Sequence, residues 1–200
     1  MLEWLFKKRR KEQPVLVDPS TLLFSLATIC DALPKCSPEG QPPDSDSLVL
    51  HEDDWRQVEF VCQEDRNYLD GLLEELRRFR AENWTGSGFK SVYVRKEHPT
   101  QLSERKIPVS ELLSVPGCDG HFRRLYINFI GVSQIENGFA LRTGLADAIY
   151  GISASNKISA LALEWTGKDN EVITRLAPFC STHGLLLVDW YQAKVLVQTR

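Results

Sequence analysis

The chain has 200 residues, 42% of them hydrophobic and 26% charged, with a formal net charge of −3. That length makes one large domain, or one domain with an appendage, and the composition is that of a globular protein able to bury a core, which excludes a disordered or collagen-like chain. The charge is uneven: residues 1–12 hold five cations against two acids, so the remainder carries −6, and a body of that sign is not built for broad electrostatic capture of nucleic acid.

The five cysteines (Cys30, Cys36, Cys62, Cys118 and Cys180) are odd in number and widely spaced. They read as reduced thiols of a cytoplasmic protein rather than as a disulfide scaffold. The apolar run Leu22–Cys30 is broken by Ser25 and Thr28 and followed at once by Asp31, so it reads neither as a secretion signal nor as a membrane span.

The chain starts with Leu2, Trp4, Leu5 and Phe6 ahead of Lys7, Lys8, Arg9, Arg10 and Lys11. Such a segment suits weak contact with an anionic membrane surface through residues 2–11, or docking on the body of a protein. Residues 19–33 carry Leu22, Leu26, Ile29 and Leu33 on one helical stripe, opened by Asp18-Pro19 and closed by Pro34. Residues 1–33 are therefore expected to form a helical N-terminal segment. Residues 34–47, with four prolines, Gly40 and three serines, form a linker or long loop. Residues 48–200 make up the main domain.

Within that domain a long helix is expected over 52–82. Trp55, Val58, Cys62, Asp65, Leu69, Leu72, Leu76 and Phe79 recur at alternating steps of three and four, a heptad seam. A seam needs a cover, either the helix at 19–33 or a protein partner such as a second copy of the chain. Asp65, Leu69, Leu72 and Leu76 are then the contact line, with Asp65 as a polar residue that sets register. His51-Glu52-Asp53-Asp54 ahead of it reads as helix-start electrostatics.

Thr85-Gly86-Ser87-Gly88 ends that helix as a turn, and Phe89–Arg95 alternates as a strand. Leu125, Ile127 and Phe129 mark another strand. Asn137-Gly138 signals a hairpin whose return strand is Phe139–Thr143. A short helical piece is expected around Leu145–Tyr150. The last third reads strand Ile158–Trp165, helix Lys168–His183 with Gly184 as its terminator, strand Leu185–Tyr191, then an antiparallel strand Lys194–Gln198. Strand, helix, strand at this spacing is a βαβ unit with parallel strands. The fold class is mixed α/β (α+β): a sheet with parallel and antiparallel strands, a C-terminal βαβ unit, and an N-terminal helical region containing one long helix.

Two arrangements could carry chemistry. Glu164 and Asp189 end the two strands of the βαβ unit in matching phase, each followed by tryptophan. If those strands are neighbours, the two carboxylates converge where α/β sheets bind ligands and could hold a divalent cation or split into acid and base. Asp189 with Gln198-Thr199-Arg200 departs from the acid and Gln-x-Lys pattern of restriction-type nucleases at Arg200, a side chain that does not give up its proton. The second arrangement is Cys118-x-x-His121 with Cys180-x-x-His183, two spacings that could close a tetrahedral zinc site. His183 at a helix end and Cys180 on an apolar stripe each have a simpler structural role. No metal or other cofactor is expected.

The chain thus reads as a non-catalytic protein-interaction module, an adaptor, inhibitor or binding protein. The alternative is a metal-dependent hydrolase or nuclease built on Glu164 and Asp189. A protein partner or a homodimer is expected, and nucleic acid is not.

Overall fold

The computed structural model describes residues 22–37, 41–118, 120–144, 147–165, 167 and 170–198. The basic segment at 2–11, the helix start at 18–19, and Thr199 and Arg200 lie outside the described residues. In chain order the elements are β1 (Thr28–Cys30), β2 (Cys36–Ser37), β3 (Ser47–His51), β4 (Val58–Cys62), α1 (Arg66–Asn83), β5 (Tyr93–Arg95), β6 (Gly120–Phe122) and β7 (Arg124–Asn128). They continue with β8 (Val132–Ile135), β9 (Gly138–Arg142), β10 (Ala148–Ala154), β11 (Lys157–Glu164), α2 (Glu171–His183), β12 (Leu185–Asp189) and β13 (Lys194–Val197). No helix of the described residues is long and apolar enough to cross a membrane.

The class is the mixed one that the sequence implies. A seven-stranded antiparallel sheet runs β13-β12-β4-β11-β10-β9-β6. A four-stranded sheet runs β2-β8-β7-β3 with β3 and β7 parallel, and β1 pairs with β5 in parallel. The C-terminal unit is present with one change. Strands β11 and β12 are both antiparallel to β4, so they point the same way, but β4 lies between them.

Strand β4 explains the main departure from the heptad reading. Residues 52–62 are not helical: Glu52–Asp54 form a 3-10 turn and Val58–Cys62 form a strand buried at every position. Val58, Phe60 and Cys62 face one apolar cluster and Val61 the other. A central strand needs apolar residues on both faces, and Phe60 and Val61, which lie off the heptad seam, supply them. The helix proper starts at Arg66, after a 3-10 turn at Gln63–Asp65, and buries Leu69, Leu72, Leu73 and Leu76.

Three other expectations change. Residues 22–33 are not helical. Phe24 bridges Phe89 and β1 lies along β5, where Thr28 and Ile29 suit a pleated strand. Asn137 takes the left-handed conformation at φ 56°, but the turn links β8 to β9 in different sheets, and β9 pairs with β10 and β6. The two-residue hairpin forms instead at Ser155-Asn156, both at positive φ, between β10 and β11. Finally, Ala148–Tyr150 begin β10 rather than a helix, while residues 145–146 lie outside the described residues.

The seven-stranded sheet is covered on both faces. Phe60, Leu161, Leu163, Leu185 and Leu187 pack against Val172, Leu176, Phe179 and Cys180 of α2. On the opposite face, Val61, Leu186, Val188 and Trp190 lie under the leucines of α1. Beside them Ala140, Ala148, Tyr150 and Ala162 meet Leu48, Leu50, Leu125 and Ile127 of the four-stranded sheet. The seam leucines are thus covered by the chain's own sheet.

Gly71 sits in the exposed interior of α1, and a Cβ added there meets nothing within 4 Å. Gly71→Ala should raise stability by about 0.5–1 kcal/mol, because a helix-interior glycine loses more backbone entropy on folding than alanine does. Urea unfolding checks this: the midpoint should rise with the slope unchanged.

Candidate functional site

The sequence candidates are placed as follows. Glu164 shares the face of Ala162, which packs toward the four-stranded sheet. Asp189 pairs with Val58 and shares the face of Leu187, which packs against α2. The two carboxylates therefore stand on opposite faces of the sheet with β4 between their strands, and they share no cleft. Burial raises the pKa of each; nearby Asp54 and Asp147 add to the effect at Glu164, and the Gln192 N–H, donating to Asp189, opposes it there.

Asp65 is buried at the entrance of α1, where its carboxylate accepts hydrogen bonds from the Thr100 N–H at 3.0 Å and hydroxyl at 2.7 Å. It anchors the following loop. Leu69, Leu72 and Leu76 are core residues under α1. Cys118 and Cys180 are both buried in the cluster beneath α2, and burial pushes the Cys180 thiol up to about 12. His183 packs on the Phe179 ring and lies 2.8 Å from the Glu111 carboxylate, while His121 is exposed on β6. Among the described residues, no group of three His, Cys, Asp or Glu side chains is placed to hold a metal. His51 accepts a hydrogen bond from the Asp53 N–H, as a turn cap would.

The chemistry of the fold concentrates on Glu59, in the middle of β4 and only 3% exposed. It faces the side of the sheet away from α2, between the α1 cluster and the four-stranded sheet. A carboxylate there needs a cation and hydrogen bonds. The Arg56 guanidinium donates to Oε1 through Nε at 2.8 Å and through Nη2. Trp190 Nε1 donates to Oε2 at 3.1 Å, and His98 Nε2 lies 3.9 Å from the same oxygen. Burial alone would raise the Glu59 pKa; Arg56, with His98 and Arg95, outweighs it and holds the carboxyl down at about 2. Burial lowers Arg95 to about 10, against the pull of Glu59.

The supports of this group are specific. Arg56 has φ 55°, a left-handed conformation that costs an ordinary residue about 1–3 kcal/mol and persists only when its surroundings hold it. Its N–H donates to Tyr150 Oη at 2.8 Å, and its carbonyl accepts from Arg95 Nη2 at 2.8 Å. Tyr150 Oη in turn donates to the Asp54 carbonyl at 3.0 Å. Arg95 lies over the Trp190 ring at 4.7 Å, and His98 stacks on the same ring at 5.7 Å between centroids. Among the described residues, His98 Nδ1 is buried without a hydrogen-bond partner.

Two concave sites flank this network. A cavity of about 330 Å³ is lined by Arg56, Glu59 and His98, with Lys35, Glu97 and Glu136 also on its wall. A larger groove of about 620 Å³ is lined by Leu23, Phe24, Leu26, Ile29, Leu33, Val92 and Phe129, together with Asp31, Glu52 and Asp53. Phe24 is 47% and Phe129 56% exposed.

Sequence reasoning missed Glu59, Arg56, Arg95, His98 and Trp190 as a group. The signal was the single charge inside Val58-Glu59-Phe60-Val61, which a buried strand tolerates only with a cation beside it. No family model matches the chain, and no curated protein or solved structure matches it either.

Glu59→Gln should cost about 3–5 kcal/mol, because it leaves two buried guanidiniums facing a neutral amide. The pH dependence has a fixed sign. The wild-type pair contributes fully above the ordinary glutamate value of 4.5 and is lost as pH falls toward the folded value of about 2. Acid titration of unfolding free energy should therefore show a limb of about 1.4 kcal/mol per pH unit in the wild type, reduced by one proton in the variant.

Proposed function

We propose that this protein is a non-catalytic binding module that holds a short basic, apolar segment of a partner protein in the groove beside β1 and β5. The observation that carries the reading is the groove's charge. Among the described residues that line it are three carboxylates (Asp31, Glu52 and Asp53) and no lysine or arginine. Among the described residues, Glu52 Oε2 is buried without a hydrogen-bond partner. A buried carboxylate oxygen with no donor is costly, and a lysine or arginine from a partner relieves it. The apolar lining supplies the other half of the recognition. Half-exposed Leu23, Phe24, Leu33 and Phe129 stand together, where a soluble surface ordinarily scatters such residues singly. Aromatic or leucine anchors fit that floor. The carboxylate pair that would support hydrolysis is split across the sheet, so the binding reading is the one favoured.

Peptide-display selection on the full chain tests this. Enriched peptides should combine one or two aromatic or leucine residues with lysine or arginine. Phe24→Asp and Glu52→Lys, both away from the buried Glu59 network, should each weaken the selected peptides by about tenfold or more. A selection without that pattern, or peptides that bind the variants as tightly, would overturn the reading.

A further inference from the structure

The smaller cavity has a different origin and a different chemistry. Strands β4 and β11 meet only at Ala162 and Glu59 and then diverge. Past that point the segment at Ile107–Val109 takes the place of β4 beside β11. Ile158 N–H donates to the Ile107 carbonyl, Val109 N–H donates to the Asn156 carbonyl, and Pro108 bridges Lys157. The register of β11 also shifts against β10 between Ile152 and Ser153. Val61, Ser159 and Ala160, on the two arms of the fork, line the cavity, and Glu59 lines it at the point where the arms join.

The lining offers three features to a ligand. The first is a hydrocarbon wall, from Trp55, Phe60, Leu102 and Ile152. The second is a polar pair deep in the site: Arg56, whose side chain is 13% exposed and which keeps guanidinium N–H groups beyond the two bonds to Glu59, and His98, at 9%. Among the described residues His98 Nδ1 has no hydrogen-bond partner; with Nε2 turned to the Glu59 carboxylate, Nδ1 is the acceptor nitrogen and calls for a donor. The third is an acidic rim. Glu97 and Glu136 are exposed there beside a single cation, Lys35. A simple anion is drawn to Arg56 and Lys35 and repelled by the rim carboxylates, and a simple amine has the reverse problem. A molecule with both charges satisfies both.

We infer that this fork cavity is a binding site for a small zwitterion with a hydrocarbon body, the class of α-amino acids with apolar side chains. The carboxylate meets Arg56 and Lys35, the ammonium donates to His98 Nδ1 and lies toward Glu97 and Glu136, and the hydrocarbon body packs against the apolar wall. The volume of about 330 Å³ sits at the small end of ligand sites, as a single amino acid requires. The site is independent of the peptide groove, so either can fail alone.

The experiment uses the full chain and ligand-observed NMR with leucine, isoleucine, valine, methionine and phenylalanine. Each is compared with its isostere lacking the amine and its isostere lacking the carboxylate. At least one amino acid should bind with a Kd below about 1 mM and exceed both isosteres by about tenfold. His98→Ala should weaken it by about tenfold. Because His98 is buried, the exposed-rim variant Glu136→Gln gives a second reading, with weaker amino acid binding and unchanged binding of the amine-free isostere. Phe24→Asp, in the other groove, should leave all of these unchanged. Absence of binding by every amino acid up to about 10 mM, or equal binding by an amine-free isostere, would overturn the assignment.

Discussion

One carboxylate in the wrong place for a carboxylate organises this molecule. Glu59 occupies the middle of an interior strand, where both faces of the sheet are covered. Removing a charge from water to such a place costs several kcal/mol even after relaxation, and an ion pair offsets this only when the geometry is good and the remaining lone pairs are satisfied. The chain meets that condition from four separate segments: Arg56 from the preceding turn, Arg95 from β5, His98 from the loop after it, and Trp190 from the end of β12. Each brings its own element with it. The network therefore ties the α1 half of the sheet to the half covered by the four-stranded sheet, which otherwise share little apolar contact.

The same constraint explains the backbone at Arg56. A guanidinium three residues before Glu59 reaches its carboxylate only if the chain turns sharply between them. The left-handed φ at Arg56 makes that turn, and hydrogen bonds from its N–H to Tyr150 Oη and from Arg95 to its carbonyl hold it. Local strain of this kind survives where the surroundings over-determine it. Tyr150 itself is buried, and burial raises its pKa, so its hydroxyl stays protonated and keeps donating to Asp54. The turn, the ion pair and the tyrosine thus form one unit.

What could be read from the sequence follows the range of the signal. Helix α2 was legible because its evidence is local: Val172, Leu176, Phe179 and Cys180 fall on one stripe, and Gly184 adopts φ 62° at its end. The directions of β11 and β12 followed from that helix. Their separation did not, because the strand between them comes from residues 58–62, a hundred positions away in the chain, and nothing local announces the insertion. The carboxylate pair failed for a related reason. Glu164 and Asp189 each have a definite phase along their own strand, but only the assembled sheet says which phase meets α2. The heptad reading joined the true helix stripe at Leu69, Leu72 and Leu76 to the chance spacing of Trp55, Val58 and Cys62 in a turn and a strand. Phe60 and Val61 were the local evidence against it. A charge flanked by apolar residues in that strand would then have pointed to Glu59, although its partners from residues 95, 98 and 190 could not be named without the fold.

The two concave sites are not separate accidents of the surface, because the same two short segments divide them. Leu33 lines both, and the turn at 52–56 gives Glu52 and Asp53 to the groove and Trp55 and Arg56 to the cavity. These segments are fastened to each other, since Trp55 Nε1 donates to the Ala32 carbonyl at 3.0 Å. They are also fastened outward: Asp31 N–H donates to the Arg95 carbonyl and Glu136 N–H to that of Lys35. The wall keeps the two hollows apart, each with its own polar groups: Glu52 and Asp53 on one side, Arg56 and Glu59 on the other. The ion pair at Glu59 fastens that wall to the sheet, because Arg56 cannot leave its place in the turn without breaking its contact with a buried carboxylate.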